Sequence, residues 1–77
     1  MYERIRNFRE DKDMNQTEVA NYLHVSQTAY SDYERGKVRI PVEALSKLAD
    51  LHKTSIDYLV GRTDDPQPYP ASKIRRG

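Results

Sequence analysis

The feature that most constrains the fold is a pair of short helical patterns on either side of a tight turn, in the stretch NQTEVANYLHVSQTAYSDYERG. Asn15 precedes the first pattern and Glu18 lies three residues later, which is typical of a capping box that starts a helix. Ser26 caps the second pattern, which stops at Gly36. His24 falls in the intervening turn, where the backbone needs a left-handed conformation that His adopts more readily than most non-glycine residues. The sequence therefore predicts two short helices joined by a tight turn.

Three further segments have apolar residues at helical spacing. MYERIRNFREDKD predicts an amphipathic helix from about Tyr2 to Asp11. PVEALSKLADLH begins with a proline, which suits a helix start, and SIDYLV is capped by Thr54 or Ser55 and ends at Gly61. The buried stripe expected on the fourth helix consists of Val42, Leu45, Leu48 and Ala49. Because no run alternates convincingly as a strand does, the predicted fold class is all-α, with five helices.

Length and composition narrow the classes of protein further. Seventy-seven residues make one small domain with a thin core, and the absence of cysteine excludes disulfides and thiolate metal sites. No apolar run approaches the roughly 20 residues needed to cross a bilayer, and charged residues interrupt the N-terminal segment where a signal peptide would be apolar. We therefore expect a cytoplasmic protein without membrane contact. The net charge is only +1, so the placement of the charges must carry any argument about nucleic acid.

The sequence offers little support for an enzyme or a metalloprotein. His24 and His52 are far apart in the chain and lack a third ligand, so we expect no metal site. Ser31 and Asp32 are adjacent, but no histidine is placed to act as their base. We expect no catalytic residue and no cofactor.

A change in composition marks the domain boundary. Residues 1–61 carry the helical patterns, whereas RTDDPQPYPASKIRRG, residues 62–77, holds three of the four prolines and almost no apolar side chain. We predict a folded domain over 1–61 and a flexible C-terminal tail over 62–77.

A set of residues occurs at characteristic spacings through the helical segments: Gln16, Ala20, Val25-Ser26, Tyr33-Glu34-Arg35-Gly36-Lys37 and Leu48-Ala49. With these residues, the sequence from Ile5 to about Gly61 resembles the Cro/C1-type helix-turn-helix family, or XRE family, of phage and bacterial repressors. The resemblance implies a five-helix, lambda-repressor-like DNA-binding domain that controls transcription, usually as a two-fold dimer on a palindromic operator of double-stranded DNA.

Within this resemblance, the third helix is the one that reads DNA. Gln27, Thr28, Ser31 and Asp32 fall on its face away from the core, and the first turn of a recognition helix reaches the base edges. Gln27 can pair with an adenine through two hydrogen bonds, Thr28 can contact a thymine methyl, and Asp32 can accept from a cytosine amino group. The alternative is that these four side chains are simply solvated polar groups.

A second set of residues is expected to contact phosphates, which position a DNA reader. Gln16 begins the second helix, and the resemblance implies that it clamps both the DNA backbone and the side chain of Gln27. Arg35, Lys37 and Arg39 form a cluster of positive charge after the third helix, although such runs are usually just solvated. Asn15 could also reach a phosphate, but helix capping is its more ordinary role.

Other polar and aromatic residues are expected to be structural. The resemblance implies a partly buried ion pair between Arg9 and Glu34, which would join the first helix to the third. Tyr30 and Tyr33 should bury their rings and keep their hydroxyl groups in water.

The expected assembly is a weak homodimer that forms on the operator. Its candidate contacts are Ile56, Tyr58 and Val60, near the last helix, and the tail residues Lys73, Arg75 and Arg76 could touch DNA. The main alternative is an antitoxin-like or other protein-interaction module with the same fold, in which the tail folds on a partner protein. The polar face of the third helix favours DNA over that alternative.

Overall fold

A computed structural model describes residues 3–68 of the chain. Over this range the protein is all-helical, and no residue in it lies in a strand. The five helices are α1 (Glu3–Asp11), α2 (Gln16–Leu23), α3 (Gln27–Arg35), α4 (Val42–His52) and α5 (Ile56–Leu59). The predicted all-α class with five helices is therefore confirmed. Tyr2, where the first helix was expected to begin, lies outside the described residues.

The α2–turn–α3 unit forms as its capping residues predict. Asn15 Oδ1 accepts a hydrogen bond from the Glu18 backbone N–H at 2.8 Å, and the Glu18 carboxylate accepts one from the Asn15 N–H at 2.9 Å. His24 ends α2 with φ 61° and ψ 40°, the left-handed conformation. Ser26 then caps α3 through the Ala29 N–H at 3.0 Å. These capping hydrogen bonds satisfy backbone N–H groups that the first turn of a helix leaves without partners. They therefore fix where α2 and α3 begin.

A single core holds the helices together. Its largest fully buried side chains come from all five helices: Ile5, Val19, Tyr30, Leu48 and Leu59. Deleting such a side chain typically costs about 2–5 kcal/mol. In a domain this small the core is thin, so each of these residues contributes to the placement of α3.

The α4 stripe differs from the prediction at one end. Leu48 and Ala49 are buried as expected and Leu45 is half-buried, but Val42 is 69% exposed. The buried residues of α4 are Ala44, Leu48, Ala49 and His52, so Ala44 and His52 extend the predicted stripe in place of Val42. Val42 is the first residue of α4, and that end of the helix lies outside the core. Its side chain is therefore exposed although its spacing matches that of the buried residues.

The residues just after α5 fold back onto the helices. Arg4 donates hydrogen bonds to the carbonyls of Tyr58 at 2.8 Å and Thr63 at 2.7 Å, and to the Asp64 carboxylate at 3.0 Å. The Thr54 hydroxyl donates to the Pro66 carbonyl at 2.7 Å. The segment 63–66 is thus attached to both ends of the domain, although the sequence assigned it to the tail. The domain boundary stays a prediction, and residues 69–77, with Lys73, Arg75 and Arg76, lie outside the described range.

Between residues 3 and 68, no helix has both the length and the apolar character that crossing a bilayer requires.

Candidate nucleic-acid interface

One face of α3 presents polar side chains to solvent. Gln27 and Thr28, in the first turn, are exposed, while Ser31 and Asp32, one turn later, are half-buried. The opposite face is anchored, because Tyr30 is fully buried and Tyr33 is nearly so. The four predicted base-reading residues therefore lie on the outer side of a helix that the core holds in place.

The acidic member of that face has a cation beside it. Asp32 Oδ1 lies 3.7 Å from Arg35 Nη2, one turn further along α3. The Arg35 side chain is 59% exposed, so the pair is solvated and weak.

A chain of side-chain hydrogen bonds runs from the first turn of α3 into the interior. Gln27 Nε2 donates to Gln16 Oε1 at 2.8 Å, and Gln16 Nε2 donates to Glu34 Oε1 at 3.1 Å. The expected contact between Gln16 and Gln27 is therefore present. The link from Gln16 to Glu34 was not foreseen. It attaches the exposed pair of amides to a carboxylate whose side chain is only 4% exposed.

The ion pair expected between α1 and α3 is also present. Arg9 Nε and Nη2 donate to the two oxygens of Glu34 at 2.6 and 3.2 Å, and Arg9 Nη1 donates to the Met14 carbonyl at 3.0 Å. Burial by itself would raise the pKa of Glu34, but hydrogen bonds, led by that from Arg9, outweigh it and hold the pKa below its usual range. The hydrogen bond to Glu34 raises the pKa of Arg9. Both groups are therefore charged at neutral pH.

The Tyr30 hydroxyl corrects one expectation. We expected it to remain in water, but Tyr30 is fully buried and its hydroxyl oxygen has no hydrogen-bond partner of standard geometry among the described residues. Burial, and next the neighbouring Glu34, raises the pKa of Tyr30 well above its usual value, so the group stays neutral. The position one turn before Glu34 carries the hydroxyl inward toward the ion pair rather than outward.

A basic loop follows α3. Gly36 ends the helix with φ 73°, a left-handed conformation that suits glycine, and the Lys37 N–H bonds back to the Asp32 carbonyl at 3.0 Å. Lys37 and Arg39 are exposed and form no ion pair within residues 3–68. Ile40 is 7% exposed and fixes the end of the loop to the core. The loop therefore holds two exposed cations, without ion-pair partners among the described residues, directly after α3.

Arg6 is a further cation near this surface that the sequence prediction missed. Together with Arg9, Gln16, Glu34 and Arg35 it lines a cleft of about 190 Å³. It bonds to Glu10 across one turn of α1 at 3.2 Å, in a pair that is more than half exposed on both sides. Its position three residues before Arg9 was the available signal, since that spacing puts both on one face of α1.

The described residues contain no group of three or more acidic or histidine side chains that could hold a metal ion. His24 forms the turn before α3, whereas His52 is buried and stacks on Phe8 with ring centroids 5.0 Å apart. Burial, and next the charge of Lys12, lowers the pKa of His52 to about 4, so it is neutral near pH 7. His52 is a core residue.

Comparisons with known proteins agree with this geometry. A family model described as "Helix-turn-helix" matches residues 5–59. The chain is 32% identical to an uncharacterized HTH-type transcriptional regulator, YobD of Bacillus subtilis, over 66 residues, which is 86% of the chain and 59% of YobD. It is 35% identical to the HTH-type transcriptional regulator AnsR of Bacillus subtilis over 68 residues, 88% of the chain and 59% of AnsR.

A third relative comes from a phage. The cryptic phage CTXphi transcriptional repressor RstR of Vibrio cholerae serotype O1 is 39% identical over 67 residues, which cover 84% of the chain and 60% of RstR. The chain thus spans about three fifths of the length of these curated relatives. No solved structure matches it.

Proposed function

The chain belongs to the helix-turn-helix family, and on that premise we propose that it is a sequence-specific DNA-binding transcriptional regulator that acts as a repressor. Its relatives are named as transcriptional regulators, and RstR as a repressor. The chain spans only part of the length of these relatives. We therefore propose, by similarity, that it shares their regulatory activity.

The observation that carries the proposal is the outer face of α3. A helix fits the major groove of B-DNA, and side chains of its first turn reach the base edges. In this protein Gln27 and Thr28 occupy that turn and are exposed, while the buried rings of Tyr30 and Tyr33 fix the opposite side. In the proposed complex Gln27 and Thr28 read bases, and Ser31 and Asp32 read bases one turn further along.

The cations around this face supply the sequence-independent part of binding. Lys37 and Arg39 form no ion pair with another described residue, and the ion pair of Arg35 with Asp32 is exposed to solvent. Release of counterions from DNA by such side chains drives affinity. We assign Arg35, Lys37, Arg39 and Gln16 to phosphates. Asn15 is a weaker candidate, because its side-chain oxygen already caps α2.

The proposed active species is a weak homodimer that binds two half-sites about 34 Å apart, one turn of the duplex. One module of this size makes few contacts, and a second copy doubles them. Ile56, Tyr58 and Val60 are only half-buried in the monomer, so their apolar surface is available for a two-fold contact. The proposed location is the cytoplasm, since the named relatives come from bacteria, whose DNA lies there.

The test is selection of bound duplexes from a random pool by the purified chain, with Gln27→Ala selected in parallel. The proposal expects a palindromic sequence from the parent, and a consensus that is lost at one symmetric pair of positions with Gln27→Ala. Absence of any enriched sequence at low ionic strength would overturn it. That result would favour the protein-interaction module as the alternative function.

A further inference from the structure

The chain does not leave the domain where the last helix ends. The Thr63 carbonyl accepts a hydrogen bond from Arg4 at 2.7 Å, which attaches the segment after α5 to α1. The Pro66 carbonyl accepts one from the Thr54 hydroxyl at 2.7 Å, which attaches the same segment to the turn between α4 and α5. Residues 63–66 therefore cross the surface along a defined path.

That path ends at a groove between α4 and α5. Pro68, the last described residue, lines one side of the groove, whose volume is about 730 Å³. The rest of the lining comes from the C-terminal part of α4, the turn after it and the start of α5, and Ala49 and Ile56 supply its apolar surface. The residue that follows Pro68 in the chain therefore starts at the edge of this α4–α5 groove.

The charge of the groove is negative. Asp50 and Asp57 line it, against one cation, Lys53, among the described residues. Asp57 already has a cation nearby, since Arg62 lies 3.9 Å from its carboxylate. Asp50 is exposed and forms no ion pair within residues 3–68. Its carboxylate is therefore available to a cation from another part of the chain.

The sequence after Pro68 has the complementary composition. Residues 69–77 include three cations, Lys73, Arg75 and Arg76, and neither aspartate nor glutamate. Their larger apolar or aromatic side chains are Tyr69 and Ile74. A stretch of this length extends over at most about 30 Å, which is long enough to pass along a groove of this volume.

We propose that the α4–α5 groove is the docking site for the protein's own C-terminal segment, residues 69–77. In this arrangement the three cations of the segment face the acidic lining at Asp50, and its apolar side chains cover Ile56. The inference gives the cations a partner within the protein, whereas the sequence suggested DNA as their partner.

The attachment of the segment favours it over an occupant from another molecule. An exposed ion pair contributes only about 0–1 kcal/mol, so contacts of this kind hold a free peptide weakly. A tethered segment has an effective concentration on the order of millimolar at its site, and weak contacts then suffice. Pro66 and Pro68 strengthen the effect, because a fixed φ angle leaves the start of the segment with less conformational freedom to lose.

The test is NMR of the free 77-residue protein, which does not involve DNA. Backbone order parameters from relaxation of residues 72–76 should exceed about 0.6, below which a backbone counts as flexible. Overhauser contacts should also join the Ile74 side chain to Ile56. Order parameters below that limit throughout residues 72–76, or an ordered segment without contacts to the groove, would overturn the proposal.

Asp50→Lys tests the electrostatic part. A lysine near the C-terminal end of α4 suits the helix dipole, so the fold should persist, and unchanged amide signals from α2 and α3 establish that it does. The order parameters of residues 72–76 should fall below about 0.6. Glu43→Lys is the matched control, because Glu43 is also an exposed carboxylate on α4 but does not line the groove. It should keep the parent's values, and the same response from both variants would contradict the assignment of the groove.

Dilution identifies which molecule supplies the segment. Contact within one molecule does not depend on protein concentration, so the order parameters of residues 72–76 should be the same before and after dilution. If they fall on dilution, the groove is filled by the segment of a second copy, and docking of the chain's own segment is wrong.

Discussion

Arg9 and Glu34, which are 25 residues apart in the chain, bind each other through two hydrogen bonds of 2.6 and 3.2 Å. The pair joins α1 to the last turn of α3, and its side chains are only 13% and 4% exposed. The same carboxylate also accepts a hydrogen bond from Gln16 Nε2. The contact between α1 and α3 and the side-chain bonds at the start of α2 therefore share one buried carboxylate.

The first prediction concerns stability. Arg9→Ala leaves the Glu34 carboxylate buried without its cation, which should lower the free energy of unfolding by about 3–5 kcal/mol. Urea denaturation measures it. Arg6→Ala is the control on the same helix, because its pair with Glu10 is exposed and should contribute less than about 0.5 kcal/mol. Equal losses from the two variants would contradict a structural role for Arg9.

The second prediction concerns base reading. Gln27→Ala should weaken binding to the selected duplex by about 1–3 kcal/mol and abolish the preference at one base pair of each half-site. Competition binding against single-base variants of the duplex measures both effects, and the preferences at the other positions serve as the internal control. Unchanged discrimination at every position would remove Gln27 from the interface.

The third prediction concerns phosphate contacts. Lys37→Ala should weaken binding to all duplexes alike and reduce the slope of log K against log salt by about 1 per protomer, because one counterion-releasing charge is lost. Titrations at several salt concentrations measure the slope. Arg62→Ala, which removes a cation after α5 that lies 3.9 Å from Asp57, is expected to leave it unchanged. A parent-like slope for Lys37→Ala would place that residue outside the interface.

The fourth prediction concerns acid. Burial lowers the pKa of His52 to about 4 in the folded chain, whereas a histidine in water has a pKa of about 6.5. Between these two values the unfolded chain therefore binds the proton more readily. Stability should then fall as the pH drops from 6.5 to 4, by about 3 kcal/mol at most, and this contribution should level off below pH 4. Thermal unfolding across that range measures it.

His52→Phe isolates the effect, because it keeps a ring against Phe8 but cannot take up a proton. Its stability should change less than the parent's between pH 6.5 and 4. Glu34 acts in a lower window, since its pKa is depressed and its contribution is lost as the pH falls below its usual value. Parallel curves for the parent and His52→Phe over the upper window would show that His52 does not control acid stability.

Local signals in the sequence accounted for the helix-turn-helix. The Asn15–Glu18 box, the left-handed His24 and the Ser26 cap each depend on residues a few positions apart, so the pattern of side chains predicts them directly. The resemblance supplied the contact between Gln16 and Gln27 and the pair of Arg9 with Glu34. Whether these residues meet DNA as proposed remains a prediction.

Contacts that depend on the packing of distant segments were not predictable in the same way. Val42 had helical spacing but proved 69% exposed, because spacing gives the face of a helix and not how far along it the core extends. The Tyr30 hydroxyl was expected to reach water, but the whole side chain is buried in the core. The contacts of Arg4 with the segment after α5 were not predicted, because its acceptors are mainly backbone carbonyls, which every residue has.

The bonds of Arg4 bear on the order in which a ribosome makes this protein. The Arg4 guanidinium is synthesised before its acceptors, since the carbonyls of Tyr58 and Thr63 follow 54 and 59 residues later. Until the last of these leaves the exit tunnel, the cation over the Tyr58 ring, 3.9 Å from its centroid, cannot complete its set of acceptors. The first helix of the nascent chain therefore reaches its final attachment only when translation has passed the fifth.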